Sequence, residues 1–440
     1  MRPYVNYFAG YYIFSYAAIG ALFPLIAQYL HGIGFSGGQI GVITASSTAI
    51  GILSNSFWGG IYHRRQRSKK LILLLCVITA LSSLMLMWVG SFWIFLLLYI
   101  LVFFFENPVF PLIDSTIMEV DYPFGAARKW GAVGFALGIG VAGAVAEPFG
   151  LLSIFPMFAI FFLLTALLIG ISLKHNSNLF SKGDSASLNP ENPENEVKSQ
   201  KQKTKSGYKD LIRDRKYVAL LISAFFFMGP SLSHNTYFSF LYIGAGGTIA
   251  GMGLVLLLMV ISEAPFMGLS QRISSALTME RAVLLAMVAS AARFLWYSTS
   301  PSPELLTATF FLQGVANGIG IVEIAKYITK LAGPAMVSLA LPLFTAVSSN
   351  CGAITCQFIG GVIVENYGGQ GVYLFYGLLD LVGILIYLLF GLYKYQSSTN
   401  RGFGRRTKVD GRDFTRSKFG KVLLKKITTC FLSQKNEKRC

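Results

Sequence analysis

Charged side chains are scarce in this sequence. Asp, Glu, Lys and Arg make up 13% of its 440 residues, about half the share in a soluble globular chain. Cysteine is scarce as well: five residues, scattered and too few for a disulfide framework. Cys351 and Cys356 have no second pair and no nearby histidine, which argues against zinc. No HExxH or GxSxG motif is present, so an intramembrane enzyme is not supported. A P-loop is missing too, which excludes ATP as the driving force. Neither a selectivity loop nor a charged ring argues for a channel. Disorder, collagen and coiled coil are excluded by the same composition.

Apolar sequence is what the chain has in quantity. It is 54% hydrophobic with a mean hydropathy of +0.57. The apolar residues fall into twelve runs near 5–30, 37–62, 70–89, 92–118, 127–147, 150–173, 217–243, 248–270, 281–299, 303–329, 335–364 and 370–394. Each is long enough to cross a hydrocarbon core of about 30 Å as a helix. The runs are continuous rather than alternating, which argues against a β-barrel. The first lacks a small-residue cleavage pattern and reads as a true span. The expectation is an all-α integral membrane protein.

The basic residues set its orientation. With twelve spans, every one of the 37 Lys and Arg except Arg293 falls on one side, at the two termini or at the 2–3, 4–5, 6–7, 8–9 and 10–11 turns. That side is expected to be cytoplasmic, in a plasma membrane (a cell inner membrane), with both termini inside. The net charge of +17 then belongs to the membrane's inner face and not to a nucleic-acid surface. Residues 174–216 are polar and aperiodic and read as a flexible cytoplasmic linker. Six spans (1–173) precede the linker and six (217–394) follow. "WGGIYHRRQRSKK" (58–70) after span 2 is echoed by "MGLSQRISSALTMER" (267–281) after span 8. Two such halves around a central cavity are the layout of a secondary transporter. The tail, 395–440, is basic. Its "KFGKVLLKKITTCFL" stretch either is solvated or lies as an interfacial helix on anionic lipid.

Charges inside spans are costly and mark cavities or partners. They are Glu106 and Asp114 in span 4, Glu263 in span 8, Arg293 in span 9, Glu323 and Lys326 in span 10 and Asp380 in span 12, with Arg128 and Lys129 opening span 5. An antiparallel hairpin of spans 4 and 5 brings Asp114 and Arg128 to similar depth, below a kink expected at Pro108 and Pro111. Such a pair either holds a polyhydroxylated or carboxylated solute or locks two helices together. Gln313 and Asn317 on span 10, and Tyr11 or Phe14 on the tyrosine-rich span 1, are further candidate solute contacts. His234 reads as a hydrogen-bonded polar group before a proton relay.

"PLIDS" (111–115) and "FGAARKWGAVGFALG" (124–138) resemble the span 4–5 region of the lactose permease and phenylpropionate permease branch of the major facilitator superfamily. "FPLIAQYL" (23–30), "GGQIG" (37–41), "AKYI" (325–328) and "ENYGGQGVYLFYGL" (365–378) are similar to it as well. The resemblance covers nearly all of 1–394. It implies two six-helix bundles and proton-driven uptake by alternating access. By motif, Asp114 matches the sugar-binding carboxylate, Arg128 its partner and Phe135 a ring-stacking aromatic that is Trp in the lactose permease. Glu263 matches the carboxylate linking solute to proton, and Arg293 the arginine tuning the proton site. The sequence also departs from that pattern. Gln313 stands where the lactose permease has a histidine and Ala316 where it has the proton-carrying carboxylate. His63 replaces a loop-motif Asp, and Asp114 is shorter than the usual Glu.

The expected activity is therefore symport of a proton with a small polar organic solute, a sugar or glycoside first. Aromatic acids of the phenylpropionate type, nucleosides, a proton-independent facilitator and a transporter-derived sensor are the alternatives. No cofactor beyond the proton gradient is expected, and the chain is expected to act as a monomer. Glu263 is the leading proton carrier, since a desolvated carboxylate can bind and release a proton near neutrality. Glu323 can instead pair with Lys326 one turn on, and Asp380 and Glu106 are reserves. Asp380 is expected at the periphery.

Overall fold

The computed structural model describes residues 4–64, 68–118, 124–175, 208, 211–333 and 336–394. The linker and the basic tail lie almost wholly outside these, as does the side chain of Arg128. Among the described residues every regular element is a helix. The first part of the chain forms α1 (Tyr4–Gly32), α2 (Gly37–Arg64), α3 (Lys69–Met85), α4 (Phe92–Glu106), α5 (Val109–Met118), α6 (Phe124–Phe149) and α7 (Ile154–His175). After the linker come α8 (Arg215–Gly244), α9 (Ile249–Leu277), α10 (Met279–Tyr297), α11 (Pro303–Ala308), α12 (Phe311–Gln313), α13 (Ile319–Ala332), α14 (Val337–Phe344) and α15 (Gly352–Leu389). Two π-helical segments, Gly314–Gly318 and Thr345–Cys351, join α12 to α13 and α14 to α15.

Nine helices among the described residues are long and apolar enough to cross a membrane. One of them runs 53 residues, Val337–Leu389, roughly 80 Å at 1.5 Å per residue and far more than one bilayer needs. Gly368 divides it, with φ at 63° and no side chain to oppose the left-handed turn. Large apolar side chains face outward along the helices, among them Leu53, Trp88, Trp93, Leu97 and Leu389. Such a surface is stable in lipid and would aggregate in water.

Span 4 breaks where its prolines predict, between α4 and α5. Pro108 and Pro111 supply no N–H to the turn above them. Asn107 braces the break, donating from Nδ2 to Phe103 O at 2.8 Å and to Ser47 O at 3.1 Å. The break turns α5 and leaves Asp114 half-buried on it.

In the first half, α1 packs on α6 and α7, α3 on α7 and α4, and α2 on α4. The α1–α6 contact is nearly backbone to backbone: a Cβ on Gly134 would lie 2.2 Å from Ile13 O, and one on Gly138 2.1 Å from Ala17 O. In the second half, α15 packs on α8 and α10, and α10 on α13. The halves meet through α6–α9, α2–α15 and α1–α8. One apolar core runs from the first half into the ends of α8 and α9 and the middle of α15, while a second, around Tyr217, Phe227, Tyr327 and Tyr387, belongs to the second half alone. The hydrogen bonds between halves (Gly38–Glu365, Thr48–Gln357 and Ala250–Glu147) all lie toward the end remote from the basic turns. At the basic end no hydrogen bond or ion pair joins the halves among the described residues.

Candidate functional site

The polar centre of the second half is built on Glu263 of α9. Gln313 Nε2 donates to Glu263 Oε1 at 2.9 Å, and Asn317 Nδ2 donates to the same oxygen at 3.2 Å. These residues lie four apart, and the π-helical turn from Gly314 presents both amides to one carboxylate oxygen. The wider turn depends on its glycines: a Cβ on Gly314 would stand 2.6 Å from Ser262 O, and one on Gly318 2.8 Å from Glu263 O. π-bulges concentrate at functional sites because they re-aim side chains in this way. Gln313 and Asn317 are buried, and their acceptor oxygens have no partner among the described residues. Each amide gives one N–H to the carboxylate and leaves its oxygen unpartnered among the described residues, so the site presents unsatisfied acceptors. It is suited to a ligand that donates hydrogen bonds, as hydroxyl groups do.

Arg293 of α10 is buried beside this centre. Its Cζ lies 4.4 Å from the Phe294 ring centroid and 5.9 Å from that of Tyr297. Its three guanidinium nitrogens make no hydrogen bond among the described residues. Glu263, Asp380, Tyr297 and Tyr373 are all within electrostatic reach. His234 of α8 is hydrogen-bonded through Nδ1 to Tyr373 Oη at 2.7 Å and walled by Phe238, Phe294 and Tyr297.

The candidate residues of the first half are arranged differently from expectation at one position. Tyr12 donates from its hydroxyl to Asp114 Oδ1, whereas Tyr11 points the other way and donates to Ser172 of α7. Tyr11 is thereby buried in the α1–α7 contact. The 100° step between neighbours on a helix separates the two tyrosines. The partnership of Asp114 with Arg128 falls outside the described side chains. Phe135 is half-buried against the first-half core. A cleft of about 330 Å³ opens between α2 and α5, its walls including Asn55, Tyr62, His63 and Ser115.

The remaining carboxylates separate into different roles. Glu323 is buried and bonded to Lys326 Nζ at 2.7 Å, one turn along α13. Lys326 also reaches Gln271 Oε1 at 3.3 Å, so this group ties α13 to α9. Glu106 is buried at the end of α4, near Cys76 of α3 and Tyr99. Asp380 departs from the peripheral placement expected of span 12. It is fully buried, faces α10 near Ser290 and Arg293, and neither carboxylate oxygen has a hydrogen-bond partner among the described residues. Sequence reasoning missed Tyr12, Tyr297 and Tyr373, which carry no signal beyond being aromatic in a chain with 21 tyrosines.

Membrane-length helices in an all-helical fold, with polar and charged side chains gathered inside both halves, define a multi-pass membrane transporter of the major facilitator type. The model described as the MFS_1 like family matches residues 5–375, and the chain belongs to that family. It is 31% identical over 384 residues to a maltose permease of Geobacillus stearothermophilus, covering 86% of this chain and 92% of the relative. It is 28% identical over 390 residues to the uncharacterized transporter YwbF of Bacillus subtilis (strain 168), covering the same shares of each. The fold is similar to the crystal structure of the nucleoside transporter NupG, with a TM-score of 0.75 and 16% identity over 90% of this chain and 100% of that one. A POT family transporter in complex with 5-aminolevulinic acid matches with a TM-score of 0.65 and 13% identity over 88% and 95%.

Proposed function

We propose that the protein is a proton-coupled symporter of a small polyhydroxylated solute, an oligosaccharide or glycoside, working by alternating access in the plasma membrane. The observation that carries the reading is the Glu263–Gln313–Asn317 cluster, whose carboxylate and two unpartnered amide oxygens suit a ligand rich in hydroxyl donors. Asp114 and Tyr12, with Arg128, supply the matching contacts from the first half. The similarity to a maltose permease supports a sugar in first place. Residues 1–173 and 217–394 act as the two rocking halves, with both termini cytoplasmic and the chain a monomer. The three hydrogen bonds that join the halves toward the end remote from the basic turns support assigning this structure to a state closed at that end.

Coupling requires that a proton and the solute bind interdependently. Glu263 contacts the solute, and the buried Arg293 lies within electrostatic reach of it. The test is uptake of radiolabelled maltose into proteoliposomes with an imposed pH gradient, acid outside. The expected result is accumulation that alkalinises the medium and declines as the outside pH approaches the inside pH. Glu263→Gln is expected to exchange solute at lowered affinity and to lose accumulation. Full accumulation by that variant, or uptake indifferent to the gradient, would overturn the coupling.

A further inference from the structure

We infer that Asp380 carries the coupling proton, and that Arg293 is a shared cation that changes partner between Asp380 and Glu263. This rests on the symport reading above and names the proton site within it.

The two carboxylates differ in the donors around them. Glu263 Oε1 accepts two amide hydrogen bonds, a setting that stabilises the ionised form. Asp380 accepts none among the described residues, although it is 0% exposed. A buried carboxylate that lacks such amide donors is less well stabilised as an anion than one that accepts two of them. The Ser290 hydroxyl stands beside it as a neighbouring side-chain donor.

Arg293 lies within electrostatic reach of both acids, on the helix that packs against α15. No ion pair within 4 Å joins it to either among the described residues, and its three nitrogens are free to bond. Two carboxylates and one guanidinium, all ionised, leave one uncompensated negative charge in a medium of low dielectric. One bound proton makes the group neutral. The donors already on Glu263 place that proton on Asp380.

The other titratable groups facing this pair do not supply the charge. Tyr297 lies on α10, Tyr373, Tyr376 and Cys356 on α15, and His234 on α8. The tyrosines and the cysteine are neutral near pH 7 at their ordinary values. His234 is held by Tyr373 through Nδ1.

The switch conserves atoms and charge. In the loaded state Asp380 holds the proton, and Arg293 serves Glu263 and the solute. When Arg293 turns to Asp380, the Asp380 O–H bond breaks and the proton passes to water. The guanidinium keeps its charge, Glu263 loses its cation and the solute site weakens. The proton and the solute therefore leave together.

The decisive variant is Asp380→Asn, a neutral mimic of the protonated acid. Wild type and variant are reconstituted and loaded with a pH gradient and radiolabelled maltose. The expected result is that Asp380→Asn retains maltose exchange at near wild-type affinity while inside and outside concentrations become equal. Accumulation by Asp380→Asn equal to wild type would overturn the inference. If wild type itself ignores the gradient, the symport reading fails instead. A measurement without solute decides the site independently, including the case in which maltose is not carried. In the infrared difference spectrum of purified protein between acid and alkaline buffer, a protonated-carboxyl band present in wild type is expected to vanish in Asp380→Asn. A spectrum unchanged by the substitution would place the proton elsewhere and overturn the inference. Should Asp380→Asn fail to fold, the same spectrum of Asp380→Glu is expected to show the band shifted, and an unshifted band would overturn it equally.

Discussion

Glu147, at the end of α6, accepts a hydrogen bond of 2.6 Å from the backbone N–H of Ala250 in the first turn of α9. The contact has a counterpart across the molecule, where Glu365 of α15 accepts from the N–H of Gly38 in the first turn of α2 at 3.3 Å. In each case a carboxylate of one half closes on a helix N-terminus of the other, where the unsatisfied N–H groups and the helix dipole favour negative charge. Beneath each contact the backbones nearly touch, at Gly143 against Gly253 and at Gly361 against Gly41.

These two contacts hold one end of the molecule closed. Glu147→Gln combined with Glu365→Gln is expected to shift the population toward the state open at that end by roughly two- to five-fold per contact, since a charge at a helix N-terminus has a modest effect. The measurement is the alkylation rate of a cysteine placed at Thr48, which bonds to Gln357 across the seam, in a cysteine-free background. A rate unchanged by the double substitution would show the contacts to be passive.

The same seam predicts the effect of bulk. A Cβ at position 361 would stand 2.3 Å from Gly37 O, so Gly361→Leu opposes closure by about 1–3 kcal/mol, the cost typical of overpacking. Alkylation at position 48 is expected to rise and net transport to fall, with solute binding preserved.

Gln313→Ala removes one of two donors from a single carboxylate oxygen. Hydrogen bonds to charged groups contribute about 1.5–3 kcal/mol, so affinity for maltose is expected to fall by roughly 10- to 100-fold in a calorimetric titration. Asn317→Ala should behave similarly. The double variant is expected to depart from the sum of the two, because both amides serve Glu263 Oε1.

The adjacent tyrosines of α1 give a paired control. Tyr12→Phe deletes the donor to Asp114 and is expected to weaken maltose binding about tenfold. Tyr11→Phe deletes the bond to Ser172 and is expected to cost about 1 kcal/mol of stability in a thermal melt while leaving affinity unchanged. The reverse pattern would restore Tyr11 as the solute contact.

The residues themselves explain which parts of this account could be read in advance. The break at Asn107–Pro108 was legible because proline lacks an N–H whatever surrounds it. The Glu323–Lys326 bond was legible because both ends lie on one helix, three residues apart. The choice between Tyr11 and Tyr12 was not, because neighbours on a helix differ only in rotation, and rotation is set by what packs against it. The inward face of Asp380 was hidden for the same reason. The latches of Glu147 and Glu365 join residues 103 and 327 positions apart, which no local pattern connects.

Apolar run length and the one-sided distribution of Lys and Arg thus dictated a many-span membrane protein from composition alone, since lipid leaves a chain few ways to satisfy its backbone. Which buried groups share a partner, which stand unpaired and which end of the molecule is closed depended on helix rotation and on contacts between distant segments. Those are settled by the simultaneous packing of all the helices, where one carboxylate gains two amide donors and another, on a different helix, gains no amide.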